Sequence, residues 1–166
     1  ADPGACTTQL TNSAVPVTDN CSLASITKDQ NSTSDASGTY SVGTTIITWT
    51  ATDIYGNISS TTQEITVSDT EDPVITTSSV SATTDSGQCD AQVAVSSPIV
   101  TDNCGVLSIT NDYNNTNDAS GTYSIGITAI IWTATDTHGN TSTSTQIVTV
   151  EDTEAPSITA SSDQTQ

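Results

Sequence analysis

Shifted by 83 residues, the 166-residue chain lies on itself without a gap, and 46 of the 83 aligned positions are identical. Asp19-Asn20-Cys21 falls on Asp102-Asn103-Cys104, Trp49-Thr50-Ala51-Thr52-Asp53 on Trp132-Thr133-Ala134-Thr135-Asp136, and Asp69-Thr70-Glu71 on Asp152-Thr153-Glu154. Self-similarity at a fixed period means one structural unit used twice, with neighbouring copies arranged as an array. Any fold proposed for one copy must therefore serve the other.

Each copy reads as all-β. Residues 44–53 and 127–136 alternate with the period-2 rhythm of strands, so Ile47, Trp49 and Ala51 share one face, as do Ile130, Trp132 and Ala134. Gly56-Asn57 and Gly139-Asn140 supply turn chemistry, and a second strand follows with Ile65 and Val67, or Val148 and Val150, pointing inward. Short strands with frequent turn signals predict a β-sandwich, hence two tandem sandwiches of 83 residues. The alternation also argues against disorder, the competing reading of so polar and acidic a chain. With one Lys or Arg against 19 acidic residues, the net charge is −18. One cation cannot neutralise a row of phosphates, and an anionic membrane surface repels such a chain. No apolar run approaches the roughly 20 residues of a spanning helix. The chain has no Met, so Ala1 is expected to follow processing or to lie inside something longer, with no signal peptide remaining.

The succession Asp-Asn-Cys, Gly-Thr-Tyr-Ser-Val-Gly-Thr-Thr, Trp-Thr-Ala-Thr-Asp-x-x-Gly-Asn and Val-x-Asp-x-Glu-x-Pro resembles the hyalin repeat, or HYR domain, over nearly the whole of both copies. It looks most like the Thr-rich tandem versions in large secreted proteins of Bacteroidota. The resemblance implies an immunoglobulin-like sandwich, an extracellular, secreted or cell-surface location, adhesion-associated architecture and no catalytic residues. Family members often carry a further Cys in the last strand, and here that strand has none.

Pro73, in Asp69-Thr70-Glu71-Asp72-Pro73, stops one strand and starts the next segment. The expected domains are therefore 1–70, a sandwich lacking its first strand, and 71–153, a complete one. Residues 154–166 match the start of the second copy and are expected to be the first strand of a following repeat. Either a long array has been cut at an arbitrary phase, or the tail of one chain supplies the missing strand of the next. The latter is strand addition to an open sheet edge and gives a head-to-tail, non-closing fibre.

Cys6 and Cys21 recur as Cys89 and Cys104. In a secreted chain an even, repeated count argues for disulfides, and the expected bridges are Cys6–Cys21 and Cys89–Cys104. Zinc binding lacks any supporting Cys or His cluster. A bridge between neighbouring repeats is the weaker expectation, because each copy holds its own pair.

The acidic residues also recur in phase. In an immunoglobulin-like topology the loop at Asp102-Asn103, the turn 136–140 and the incoming linker 69–72 share one end of a domain. Convergent carboxylates and carbonyls suit Ca²⁺, which takes six to eight oxygens. An interdomain Ca²⁺ site is expected from Asp69, Glu71, Asp102, Asn103 and Asp136, stiffening the junction. The competing reading is that these residues only make turns and cap strand ends, as surface Asp in a polar β protein ordinarily does.

His138 is the only histidine and its copy is Tyr55, so it reads as a turn residue. Trp49, Trp132, Tyr40 and Tyr123 read as core, leaving Tyr55 and Tyr113 for exposed contacts. The expectation is a non-catalytic structural module that forms a filament, fibre or adhesin stalk, with identical repeats or chains joined head to tail. The alternative is an adhesion module whose end loops bind a glycan or protein. The two copies differ at the turn tips in a manner of drift on a scaffold, which favours the structural reading.

Overall fold

The computed structural model describes residues 1–11 and 14–161. The chain divides into two compact units, Ala1–Glu71 with Asp102–Gly105, and Asp72–Thr101 with Val106–Gln166. Among the described residues the regular elements of both are strands, in agreement with the alternating sequence, and no helix is long and apolar enough to cross a membrane.

The second unit has two layers. In one, β10 (Val106–Asn111), β12 (Gly126–Asp136), β13 (Thr141–Glu151) and β7 (Val80–Thr83) form a sheet in that order. Its last pairing is parallel, with Val148 opposite Val80 and Val150 opposite Ala82. The other layer holds β8 (Asp90–Val93) on β11 (Gly121–Ser124), and β6 (Val74–Thr76) on β9 (Ile99–Thr101). Inward residues of both layers meet in one core of Ala91, Val93, Val95, Ala119, Tyr123, Ile130, Trp132, Val148 and Val150, with Ile75, Val80 and Ala82 packed on it. Facing layers joined by alternating inward residues are the arrangement of a β-sandwich.

The first unit repeats this in reduced form. β2 (Leu23–Lys28), β4 (Gly43–Asp53) and β5 (Ile58–Val67) form one sheet, and β1 (Thr7–Leu10) pairs with β3 (Gly38–Ser41). Its core is Ala36, Tyr40, Ile47, Trp49, Ile65 and Val67. The positions 83 residues before β6 and β7 fall outside the sequence. Among the described residues β5 pairs only with β4, where its copy β13 also pairs with β7.

The same local devices fix both cores. Trp49 Nε1 donates to Gln63 Oε1 at 3.0 Å, and Trp132 Nε1 to Gln146 Oε1 at 2.8 Å, so each buried indole is satisfied. The Tyr40 and Tyr123 hydroxyls donate to the carbonyls of Ala36 and Ala119 at 2.7 and 2.5 Å, locking the corner that enters the Trp strand. The Asp-x-x-Gly-Asn loops are closed by their own first residue. Asp53 Oδ1 accepts from the backbone of Tyr55 and Asn57, and Asp136 Oδ1 from His138 and Asn140. Gly139 sits at φ 93°, where a side chain would be strained.

The disulfide expectation is overturned. Cys6 bonds Cys104, with a Cα–Cα distance of 4.8 Å, and Cys21 and Cys89 are exposed free thiols. Neither Cys6–Cys21 nor Cys89–Cys104 is formed. The short segment Asp102–Gly105 carries Cys104 into the first unit, which the within-copy spacing could not reveal. A bridge spanning 98 residues removes more freedom from the unfolded chain than the expected 15-residue loops, about 4.7 against about 3 kcal/mol in the chain-entropy model.

Candidate functional site

The two units differ most at β6, which among the described residues has no copy in the first unit. In the second unit residues 73–78 run along β13 and are fastened to it by side chains. Ser142 Oγ donates to the Pro73 carbonyl, Thr77 Oγ1 to the Thr145 carbonyl at 3.1 Å, and Gln146 Nε2 to the Ser78 carbonyl at 2.7 Å. Pro73 is fully buried and Ile75 packs on the core.

The copies of those fasteners in the first unit are Ser59, Thr62 and Gln63, and they face an open groove. Its deeper part, about 360 Å³, is lined by Val15, Val17, Ile26, Trp49, Ala51 and Ser59 among others. It continues past Val15, Pro16 and Trp49 to Thr61, Thr62 and Gln63. Apolar wall and polar fasteners are thus both present. Residues 156–161, Pro-Ser-Ile-Thr-Ala-Ser, are the copy of 73–78, Pro-Val-Ile-Thr-Thr-Ser. They carry no strand and are exposed throughout, with Ile158 at 96%. The rest of the expected donor strand, residues 162–166, lies outside the described residues.

Around the disulfide, Glu71 Oε2 accepts from Gly4 N at 2.8 Å, and Glu154 Oε2 accepts from Gly87 N at 2.7 Å. Each linker is therefore stapled to the turn that precedes Cys6 or Cys89. Asp102 Oδ1 accepts from the backbone of Cys104 and Gly105, and Asp19 Oδ2 from that of Cys21 and Ser22, so both Asp-Asn-Cys loops are Asx turns.

Of the five expected metal ligands, Asp69, Glu71, Asp102 and Asn103 belong to the first unit and Asp136 to the second. A carboxylate oxygen of Asp69 and one of Asp102 lie within 4.8 Å of each other. Asn103 Nδ2 donates to Asp69 Oδ1 at 3.2 Å and to the Ala5 carbonyl at 3.0 Å. Asp102 Oδ2 and Asn103 Oδ1 are buried without a hydrogen-bond partner among the described residues, and hard oxygens so left suit a cation. Glu71 gives one oxygen, Oε2, to Gly4 N. Asp136 serves its own loop. Burial pushes its carboxyl up, yet the hydrogen bonds from Asn140 and His138 outweigh burial and hold it below the usual 3.8.

Three sequence readings are sharpened here. Tyr55 is open to solvent at 74%. Tyr113 is exposed as expected, and it also stacks on Tyr123 at 4.7 Å and donates to the Thr122 carbonyl at 2.9 Å, propping the corner. Lys28, the one Lys or Arg in the sequence, is 2% exposed and donates to the Ser37 carbonyl. The sequence signal for the groove was the fit of 156–161 onto 73–78. The inter-repeat bridge had no signal beyond the cysteine count.

The HYR domain model matches residues 68–150, half of the chain. The chain belongs to the HYR family. That family is an extracellular, adhesion-type and non-enzymatic one. Hyalin from Strongylocentrotus purpuratus is 32% identical over 151 residues, covering 87% of this chain and 12% of the relative. Hyalin from Lytechinus variegatus is 31% identical over 152 residues, covering 88% of this chain and 28% of the relative. This HYR chain therefore spans well under a third of either relative.

Proposed function

We propose that this HYR chain is an extracellular structural element that assembles head to tail into a filament, each copy lending residues 156–161 to the open groove of the next. The observation that supports it is the match between groove and tail. Ser142 and Gln146 hold the carbonyls of Pro73 and Ser78, and their copies Ser59 and Gln63 face the groove and could hold those of Pro156 and Ser161, whereas the bond from Thr77 has no copy because Ala160 stands there. Tail and groove are different surfaces, so the contact is heterologous and propagates rather than closing. The inserted segment also covers an apolar sheet margin that would otherwise invite indiscriminate pairing. Immunoglobulin-like sandwiches in series then give length, and the high negative charge disfavours lateral collapse.

Ca²⁺ is part of this reading. Asp69, Asp102 and Asn103 supply hard oxygens beside the disulfide loop, and a bound ion would give Asp102 Oδ2 and Asn103 Oδ1 a partner. Electron microscopy of the purified 166-residue chain tests the reading. Filaments that form from separate 17.0 kDa chains, and that a chain ending at residue 155 does not form, are the expected result. Monomers at all concentrations overturn it. Filaments whose stiffness and melting are unchanged by EDTA remove the Ca²⁺ element.

A second reading has one observation in its favour. The loop tip of the first unit exposes Ile54, Tyr55 and Ile58 at 57, 74 and 69%, where the copy carries Thr137, His138 and Thr141. Exposed apolar and aromatic groups at a loop tip fit a glycan or protein contact. Tyr55→Ser should then weaken adhesion to a surface and leave filament length unchanged.

A further inference from the structure

The bridge Cys6–Cys104 joins a cysteine of the first sequence copy to one of the second, and its span of 98 residues is one repeat plus the 15 between Cys6 and Cys21. Under the 83-residue shift Cys89 is the copy of Cys6, and Cys21 is the copy of Cys104. The two exposed thiols are thus opposite halves of the bridge already present, and each finds its counterpart one repeat away.

Both halves are already folded for it. The turn before Cys6 is closed by Ala5 N to the Asp2 carbonyl at 3.0 Å, by Gly4 N to Glu71, and by Val42 N to the Cys6 carbonyl at 3.1 Å. The turn before Cys89 repeats each bond, with Gln88 N to the Asp85 carbonyl at 2.9 Å, Gly87 N to Glu154, and Ile125 N to the Cys89 carbonyl at 3.2 Å. Opposite Cys6 stands the Asx turn of Asp102, and the same turn is formed around Cys21 by Asp19. Residues 102–105 are half-buried, whereas 19–22 are exposed. Asn103, which keys its loop to Ala5 and Asp69, has an exposed copy in Asn20.

We propose that Cys89 of one copy and Cys21 of the next form an intermolecular disulfide that locks the junction covalently. This rests on the head-to-tail reading above and adds the chemistry of its seam. In the extracellular setting of the family the oxidant is a small-molecule disulfide. The Cys89 thiolate attacks it, releasing one small thiol and leaving a mixed disulfide on Cys89. The Cys21 thiolate of the next copy then attacks the Cys89 sulfur and expels the second small thiol. Two cysteines lose two protons and two electrons, and one small disulfide is reduced to two thiols. Asn20 of the incoming copy takes the place beside Gln88 and Asp152 that Asn103 takes beside Ala5 and Asp69.

The test uses the 166-residue chain assembled with oxidised glutathione, alkylated, and run without reductant in detergent. A ladder in steps of 17.0 kDa that collapses on reduction is expected, together with a Cys21–Cys89 cross-linked peptide after cleavage at acidic residues. Cys21→Ser alone and Cys89→Ser alone should each give monomers only. Their mixture should give dimers and nothing longer, because only one thiol pair remains. Dimers from either variant alone, or mapping of Cys21 to Cys89 within one chain, overturn the proposal. Filaments by microscopy with no ladder overturn the lock and leave head-to-tail assembly standing. Absence of both removes the assembly as well.

Discussion

Among the described residues β6 and β7 of the second unit have no copy in the first, and the near-identical sequence around them makes the two units a direct comparison. Trp132 and Ala134 are fully buried under β6, whereas Ala51, the copy of Ala134, is only half-buried in the open groove. Gln146 bonds both Trp132 and the incoming strand, whereas Gln63 is shown bonding Trp49. Among the described residues the core of the first unit has no counterparts of Ile75, Val80 and Ala82. On the proposed head-to-tail reading, one strand separates a closed sandwich from one open to a partner.

The strongest way to break this comparison is to place the same charge at the two copies of the strand. Ile75→Asp puts a carboxylate against a core without a partner and should cost about 2–4 kcal/mol of second-unit stability, read as a lowered melting temperature. Ile158→Asp changes a solvent-exposed residue and should move monomer stability by less than about 0.5 kcal/mol, while abolishing filaments. Equal effects of the two substitutions on the monomer would mean that the tail is not a free donor.

A peptide with the sequence of residues 73–83 should fill the first unit from outside. At about a hundred times its dissociation constant, ligand linkage adds about 2.7 kcal/mol to that unit. Hydrogen exchange should slow at β4 and β5 and not at β12 and β13, and filament growth should stop. Protection that appears only in the second unit would contradict an open groove in the first.

Smaller still is the difference expected at the glutamines. Gln146→Ala leaves both the Trp132 N–H and the Ser78 carbonyl without their partner and should cost about 1–3 kcal/mol. Gln63→Ala removes the bond to Trp49 and should cost about 1 kcal/mol in the monomer, rising toward the Gln146 value once assembled. Chemical denaturation of monomer and filament checks both figures.

Much of this was legible in the residues. The alternation of 44–53 and 127–136 marked the Trp strands within a residue of β4 and β12, because one face of each must be buried. The fit of 156–161 onto 73–78 put the two segments at the same phase of the repeat, because the period fixes which segment belongs where. The disulfide was not legible. Spacing within a copy says that Cys6 and Cys21 recur together, but not that the Asp102–Gly105 loop reaches the first unit. Such a contact depends on how strands fold back over a hundred residues, and local pattern carries no record of it. Asp136 shows why spacing alone does not separate turn from metal chemistry, since its carboxylate closes an Asx loop and both chemistries draw on the same residue types.

The last difference to test should be almost none. Asp53 and Asp136 close the same loop in the two units, and both carboxyls are held below the usual 3.8. For Asp53 the cause is chiefly the Asn57 side chain, and for Asp136 it is the loop hydrogen bonds acting against burial. A depressed folded pKa contributes stability that is fully present above the unfolded value and is lost as pH falls through the folded one. Denaturation followed from about pH 7 down to about pH 2 should therefore weaken both units below about pH 4. Asp53→Asn should flatten that dependence in the first unit only, and Asp136→Asn in the second only. A loss at acid pH confined to the first unit would mean that its open groove, and not the loop carboxylates common to both, sets acid stability.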